Sequence, residues 1–484
     1  MESTNKLGEI TEMVCLESDL QDGGMKEVVI NHHKILLVRN NGEFTAVGGL
    51  CTHYGAPLVK GALVGDRVRC PFHGACFNTK TGDIEEFPGL DCLPKYKVQV
   101  EDGKVYVTAA KKMQNKRVKE MSGRAPEVSH TVVLIGGGPA SLQCAETLRQ
   151  NSYGGRIIIV SKDEQLPLDK TKLSKAMNIE IEKILLRQSD FLQQYEIEVW
   201  TKMEDGTNQH YDKLLISTGG RARPLQCPGA ELENVKLLQN YKDATEIHQI
   251  SSGKRAVIVG TSFIGMEVAA YLSDKASSVT IIGSSKFPFQ SSLGPDIGKM
   301  TMQMLEERNV KFYMCNGVAE ILGENGMVKE VLLTNGEVLP ADIVIVGIGV
   351  LPNSDFLKTT SVEINSRNAV VVDELMRTNV PDVFGAGDVV SFPLALVGHK
   401  SVNIGHWQLA QAHGYGEGYT DIVFKGSLEE RTFLAFYIKD EEVVAAASMN
   451  FDPAVARLAE MLLIGKKITK AQAQSDDLSW LQFP

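Results

Sequence analysis

The chain has 484 residues, enough for about three domains of ordinary size. With 43% hydrophobic and 23% charged residues it is composed as a globular protein, and no apolar run is long enough to span a bilayer. Its 60 acidic against 50 basic residues argue against nucleic-acid binding driven by phosphate attraction.

Eight cysteines are too sparse for a disulfide scaffold, and no Cys-x-x-Cys pair occurs, which points to a reducing compartment. The stretch from Met1 to Val14 carries neither a secretion pattern nor an Arg-rich import pattern. Cytoplasm is therefore the first expectation.

Residues 1–110 contain short alternating apolar stretches, such as Lys34 to Arg39 and Lys104 to Thr108, broken by Gly and Pro. This pattern predicts a small all-β domain. Inside it, Cys51-Thr52-His53 is followed, after sixteen residues, by Cys70-Pro71-Phe72-His73. Two Cys and two His make a metal site. Tetrahedral zinc takes the same four ligands, but each half here pairs one Cys with one His. That pairing suits a two-iron cluster whose first iron takes both Cys and whose second takes both His. Gly55, Pro57 and Gly74 supply the tight turns that two pinching loops need.

The wider frames, Cys51 to Leu58 and Cys70 to Phe77 with Thr81-Gly82-Asp83 beyond, closely resemble the Rieske ferredoxin family over about residues 10–110. The resemblance implies a [2Fe-2S] cluster held by Cys51, His53, Cys70 and His73. High-potential members of that family brace the loops with a disulfide at positions that correspond to Ala56 and Phe72, so no bridge can form here. The ferredoxin subtype is expected, towards the low end of the range of ~−150 to +300 mV. Cys76 is expected to be a buried small apolar residue and not a fifth ligand.

A polar, basic stretch, residues 111–127, contains Lys111, Lys112, Lys116, Arg117, Lys119 and Pro126 and predicts an interdomain linker. From residue 130 onward apolar strands alternate with helical patterns, twice in similar form. Thr131 to Ile135 runs into Gly136-Gly137-Gly138-Pro139-Ala140-Ser141 and a helical stretch, Leu142 to Arg149. The first glycine permits the turn, the second lets a pyrophosphate reach the backbone, and the helix N-terminus offers its amides to the anion. Ser141 stands for the third glycine and is small enough for close helix packing. About 124 positions later Ala256 to Val259 runs into Gly260-Thr261-Ser262-Phe263-Ile264-Gly265.

These two units, with Ile216 to Gly220, Val346 to Gly349 and Val383 to Asp388, resemble the two-dinucleotide-fold flavoprotein reductases of the pyridine nucleotide-disulfide oxidoreductase superfamily. Leu173-Ser174-Lys175 and Gly265-Met266-Glu267 narrow the resemblance to the Rieske-bearing apoptosis-inducing-factor-like group. It implies FAD held by Gly136, Gly138, Pro139, Ala140, Ser141, Lys170, Thr218, Gly219, Gly387 and Asp388, with Asp388 on the ribityl chain and His406 and Trp407 near the isoalloxazine. It implies NADH or NADPH bound by Gly260, Ser262, Gly265 and Glu267, and Lys175 paired with Glu267 beside the flavin. A lysine there stabilises negative charge on the reduced ring.

Four departures qualify what the resemblance carries. The second strand of the FAD unit ends in Ser161-Lys162-Asp163-Glu164, where Asp163 or Glu164 stands in for the usual ribose acid. Lys170-Thr171 replaces Arg-Pro. The second strand of the NAD unit ends in Gly283-Ser284-Ser285-Lys286 without an acid, so NADPH is expected to be tolerated. Abrupt joins near 202–205 and 414–415 lack segments the family carries, and their loss is expected to weaken FAD retention.

The expected architecture is therefore multidomain: an all-β Rieske domain (1–110), a linker (111–127), an α/β FAD domain in two parts (128–250 and 351–414), an NAD(P) domain (251–350) and a shortened α+β C-terminal domain (415–484). The expected activity is NAD(P)H oxidation through FAD to the cluster and then to an unidentified acceptor. The different-class alternative is a redox-controlled pro-apoptotic interaction protein with slow turnover, and a third is a binding surface with degraded cofactor sites. No cysteine pair suits disulfide reduction. Nicotinamide dinucleotide and an electron acceptor are the expected partners, with no nucleic acid, no transmembrane segment, and homodimerisation left open.

Overall fold

The computed structural model describes residues 8–201, 208–394, 399–405 and 419–482. It forms two compact units, one of Met1–Glu120 with Gly416–Pro484 and one of Met121–Tyr415.

In the first unit a six-stranded sheet runs in the order Glu9–Leu16, Lys104–Ala110, Lys95–Glu101, Glu43–Gly48, His33–Asn40 and Gly24–Ile30. Its pairs are antiparallel, and Lys104–Ala110 alternates as half-buried strands do, with Val105, Val107 and Ala109 inside. A smaller antiparallel sheet, Ala62–Val64, Arg67–Arg69, Cys76–Asn78 and Ile84–Glu86, carries the second Cys/His segment between its second and third strands. Leu58, Val68, Phe77 and Leu93 form the core beneath both Cys/His segments. The C-terminal part of this unit is a three-stranded sheet, Asp421–Ser427, Thr432–Lys439 and Glu442–Met449, followed by the helices Ala454–Leu463 and Lys470–Gln474. Leu458 and Met461 of the longer helix pack with Phe436.

The second unit holds two five-stranded parallel sheets. The first runs Ile197–Thr201, Arg156–Ser161, Thr131–Ile135, Lys213–Ile216 and Val383–Gly385. The second runs Val235–Leu237, Ile343–Val346, Arg255–Val259, Ser278–Gly283 and Val310–Met314. Runs such as Ile157-Ile158-Ile159 are wholly buried, as central strands of parallel sheets covered on both faces must be. Both sheets place the strand that precedes a glycine turn at the centre, where the strand order reverses and ligands of such folds bind.

The basic stretch between residues 111 and 127 is fastened along its length. Arg117 exchanges backbone hydrogen bonds with Cys92 at 2.7 and 2.8 Å and its guanidinium reaches Asp83. Further along, the amides of Ser122 and Ala125 donate to the carbonyls of Arg149 and Gly154 at 3.0 and 2.8 Å.

The FAD-type sheet is secured by buried charge. Arg187 donates to both oxygens of Glu146 at 2.7 and 2.9 Å, with both side chains at most 5% exposed. Glu146→Ala removes this carboxylate from a buried guanidinium and is expected to destabilise this unit by about 3–5 kcal/mol. The check is the urea midpoint of flavin release; an unchanged midpoint contradicts it.

Candidate redox site

Two nearly identical turns hold the Cys/His segments. The amide of Cys51 donates to Ala56 O and that of Cys70 to Ala75 O, at 2.9 and 2.8 Å. Gly55 returns a bond to Cys51 O and Gly74 to Cys70 O, at 2.9 and 3.2 Å. Gly55 and Gly74 sit at φ of +72° and +75°, left-handed positions that favour glycine. The backbone amides of His53 and Tyr54 point at the Cys51 sulfur, and those of Phe72 and His73 at the Cys70 sulfur. The turns therefore differ mainly in where the histidine stands.

The expected ligands come together as two pairs, one of cysteines and one of histidines. Cys51 and Cys70, both buried, are within hydrogen-bond reach; that bond pulls Cys70 down to about 7 and holds the Cys51 proton far above the ordinary thiol value. The rings of His53 and His73 stand 5.0 Å apart, edge to face. Two sulfurs that accept from backbone amides, together with two neighbouring imidazoles, form a donor set that fits a Rieske cluster, since amide hydrogen bonds favour thiolate over thiol. Tyr54 stacks on His53 at 4.0 Å, and Phe72 is 55% exposed beside His73. All eight cysteines are free, with Ala56 buried and Phe72 outward at the two positions a bracing disulfide would need.

Cys76 is buried, but its surroundings are not apolar. Its sulfur lies 3.9 Å from Glu460 Oε1, and burial pushes the thiol up to about 11. Arg67, Arg69 and Glu86 complete this charged cluster. Sequence reasoning missed this cluster: the alternation Arg67-Val68-Arg69 was the one signal for half of it, and Glu460, inside an unremarkable helix pattern, gave none.

In the second unit, strand register brings the FAD-type segments to one edge. Ile135 pairs with Ile216 and Ile216 with Gly385, so Gly136, Thr218 and Gly387 leave the sheet side by side. Gly136 has φ +132° and an added Cβ would stand 2.1 Å from Ser217 O; one on Gly137 would stand 2.2 Å from Ser161 Oγ. Gly138 faces open space ahead of the helix Pro139–Gln150, which begins on Pro139 and Ala140. This is a backbone cradle that fits a pyrophosphate. Ser141 is buried and bonds Ser217 Oγ at 2.6 Å, so the serine at the third glycine position does pack closely. Thr218 Oγ1 donates to Asn353 O at 2.7 Å, beside Gly219, whose φ is +65°. Lys170 pairs with Asp163 at 2.9 Å. Asp388 lies in the turn Gly387–Val389, with Asn403 Nδ2 donating to its carbonyl at 2.9 Å. His406 and Trp407 lie outside the described residues, as do most of the two abrupt joins.

The NAD-type turn repeats the geometry. An added Cβ would stand 2.2 Å from Gly347 O at Gly260 and 2.0 Å from Gly260 O at Gly265, so neither tolerates a side chain. Ser262 stands at the N-cap position of the helix Phe263–Leu272 without a side-chain capping bond. That helix carries Glu267, whose Oε2 accepts from Lys175 Nζ at 2.8 Å and Ser174 Oγ at 2.5 Å. Lys175 and Glu267 are thus joined, as the sequence led one to expect.

A profile of the pyridine nucleotide-disulphide oxidoreductases matches residues 130–414, more than half of the chain. The chain belongs to that family. Within this oxidoreductase a Rieske [2Fe-2S] domain matches residues 11–97 and a reductase C-terminal domain residues 408–480. It is 41% identical to apoptosis-inducing factor 3 of Homo sapiens over 97% of this chain and 87% of that protein. The aligned span of 529 positions exceeds the 484 residues here, so this oxidoreductase lacks residues that its relative carries within the span. It is 30% identical to rubredoxin-NAD(+) reductase of Pseudomonas putida over 53% of this chain and 71% of that protein. A ferredoxin reductase from Rhodopseudomonas palustris, 25% identical, superimposes with a TM-score of 0.68, covering 73% of this chain and 98% of that one. This oxidoreductase uses NAD(P)H, FAD and a Rieske cluster, with electrons passing from nicotinamide through flavin to the cluster.

Proposed function

We propose that Cys51 and Cys70 ligate one iron and His53 and His73 the other, and that an external one-electron carrier is the final acceptor. The observation that supports this is the pair of matching turns, in which the two cysteine sulfurs come within hydrogen-bond reach and the two imidazole rings within 5.0 Å. Bound at the glycine edge, FAD supplies the conversion of one hydride into two single electrons, the proton going to solvent. Gly136 and Gly138 would leave its phosphates room at the start of Pro139–Gln150, and Asp388 and Lys170 would help to hold it, Asp388 through the ribityl chain. Lys175, paired with Glu267, would supply a cation where negative charge accumulates on reduction.

The donor is proposed to be NADPH at least as readily as NADH. Gly283 ends the strand next to Gly260, and no carboxylate follows to repel a 2′-phosphate; Lys286 is available to attract it. The kcat/KM for NADPH should match or exceed that for NADH, and Lys286→Glu should lower their ratio by about tenfold. An NADH preference above about tenfold in the unaltered protein contradicts this.

The compartment is proposed as cytoplasm, with mitochondrion second, and a homodimer is kept open as the oligomeric state. No helix among the described residues is long and apolar enough to cross a membrane. The name of the human relative favours one second reading, a redox-controlled interaction protein with slow turnover. Turnover with a one-electron acceptor separates the two, an efficient enzyme exceeding about 1 per second.

Iron and flavin content, with the visible spectrum before and after anaerobic NADPH, tests the proposal as a whole. Flavin bands and a cluster envelope that both bleach support it. Iron without flavin would overturn it.

A further inference from the structure

We infer that the C-terminal domain braces the Rieske cluster and sets its reduction equilibrium, with Glu460 as the positioning residue. This inference rests on the cluster assignment above.

Arg69 stands one residue before Cys70 and is 7% exposed. Each of its three guanidinium nitrogens has a separate task. Nε donates to Glu460 Oε1 at 2.5 Å, one terminal nitrogen to Gly74 O at 2.8 Å, and the other to Glu86 Oε2 at 2.7 Å. Gly74 is the turn residue directly after His73, so one side chain ties both ends of the second ligand turn to a carboxylate of the C-terminal helix Ala454–Leu463. Arg67 reaches the other Glu460 oxygen at 3.6 Å, and the helix packs on the strand Ala62–Val64. Glu460 is 2% exposed and lies on the helix face that buries Ala456 and Met461. Asp452, just before this helix, is near enough for its charge to be felt at Cys70.

Packing alone does not explain these charges. A buried ion pair exchanged for apolar residues of equal volume is often neutral or stabilising. The consequence particular to charge is electrostatic: Glu460 and Asp452 oppose the added negative charge of a reduced cluster, whereas Arg67 and Arg69 favour it. The consequence particular to geometry is mechanical, because Arg69 can hold Gly74 only while its own position is fixed.

The test uses full-length, iron-replete protein, with EPR of the reduced cluster, its midpoint potential and the rate of iron loss to a chelator as readouts. Glu460→Gln removes the charge and is expected to raise the midpoint and shift the g-values. Glu460→Asp keeps the charge and should return the midpoint towards the original. Arg69→Met with Glu460→Leu removes both charges together, so the midpoint should move less while iron is lost at least about threefold faster for want of the brace. Flavin content and circular dichroism report whether each variant folds. Glu460→Gln with the original midpoint and the double variant with the original iron-loss rate would overturn the inference. Original protein without a Rieske signal would overturn it and the cluster assignment together.

Discussion

Replacing His73 with alanine is expected to abolish the Rieske signal and the bound iron while leaving flavin in place. His73 and His53 are the only histidines in the two matching turns, and an iron that loses one of its two imidazoles is left with an open site. Cys70→Ser should act in the same way, since a hydroxyl does not replace a thiolate that two backbone amides were built to receive. The FAD-type segments belong to a different compact unit, Met121–Tyr415, so flavin content is the internal control. Iron, labile sulfide and EPR are the measurements. A His73→Ala protein that keeps a stoichiometric cluster contradicts the ligand assignment.

Lys175→Met is the second change with a large expected effect. Its ammonium is held 2.8 Å from Glu267 and 3.0 Å from the carbonyl of Thr171, two contacts that orient a half-exposed side chain. Removing one such preorganised charge costs about a hundredfold in rate where it stabilises developing anion. Stopped-flow bleaching of the flavin by NADPH should slow by that order with flavin content retained. Glu267→Gln should slow it less, because the cation remains while its anchor weakens. A change below about threefold for Lys175→Met would show the pair to be structural.

The parts legible in the sequence were those whose residues lie close together in the chain. The Cys/His turns each fit within a few positions, and their chemistry needs those residue types at that spacing. The strand-to-glycine-turn-to-helix units are equally local, and the runs around Val133 and Ile258 announce parallel strands because both faces are covered. Even the serine at the third glycine position was readable, its smallness confirmed by the Ser141–Ser217 contact. The Lys175–Glu267 pair spans 92 positions and was reached only through resemblance.

What was not legible depends on tertiary contact between distant segments. Arg69 and Glu460 stand 391 positions apart, and a glutamate in a helix pattern ordinarily predicts a solvated face. Cys76 illustrates the same limit: its burial was anticipated, but the charges around it come from three separate elements. The basic stretch at 111–127 read only as a linker because its order comes from backbone bonds to Cys92, Arg149 and Gly154, which leave no periodic apolar trace.

The central claim, that electrons from nicotinamide reach the Rieske cluster within one chain, is tested most directly by rapid mixing of the iron-replete protein with NADPH under anaerobic conditions, followed by freeze-quench EPR. The reduced-cluster signal should appear after flavin bleaching at a rate independent of protein concentration, since the cluster and flavin share a chain. A flavin that bleaches while the cluster stays oxidised until an external reductant is added would contradict it.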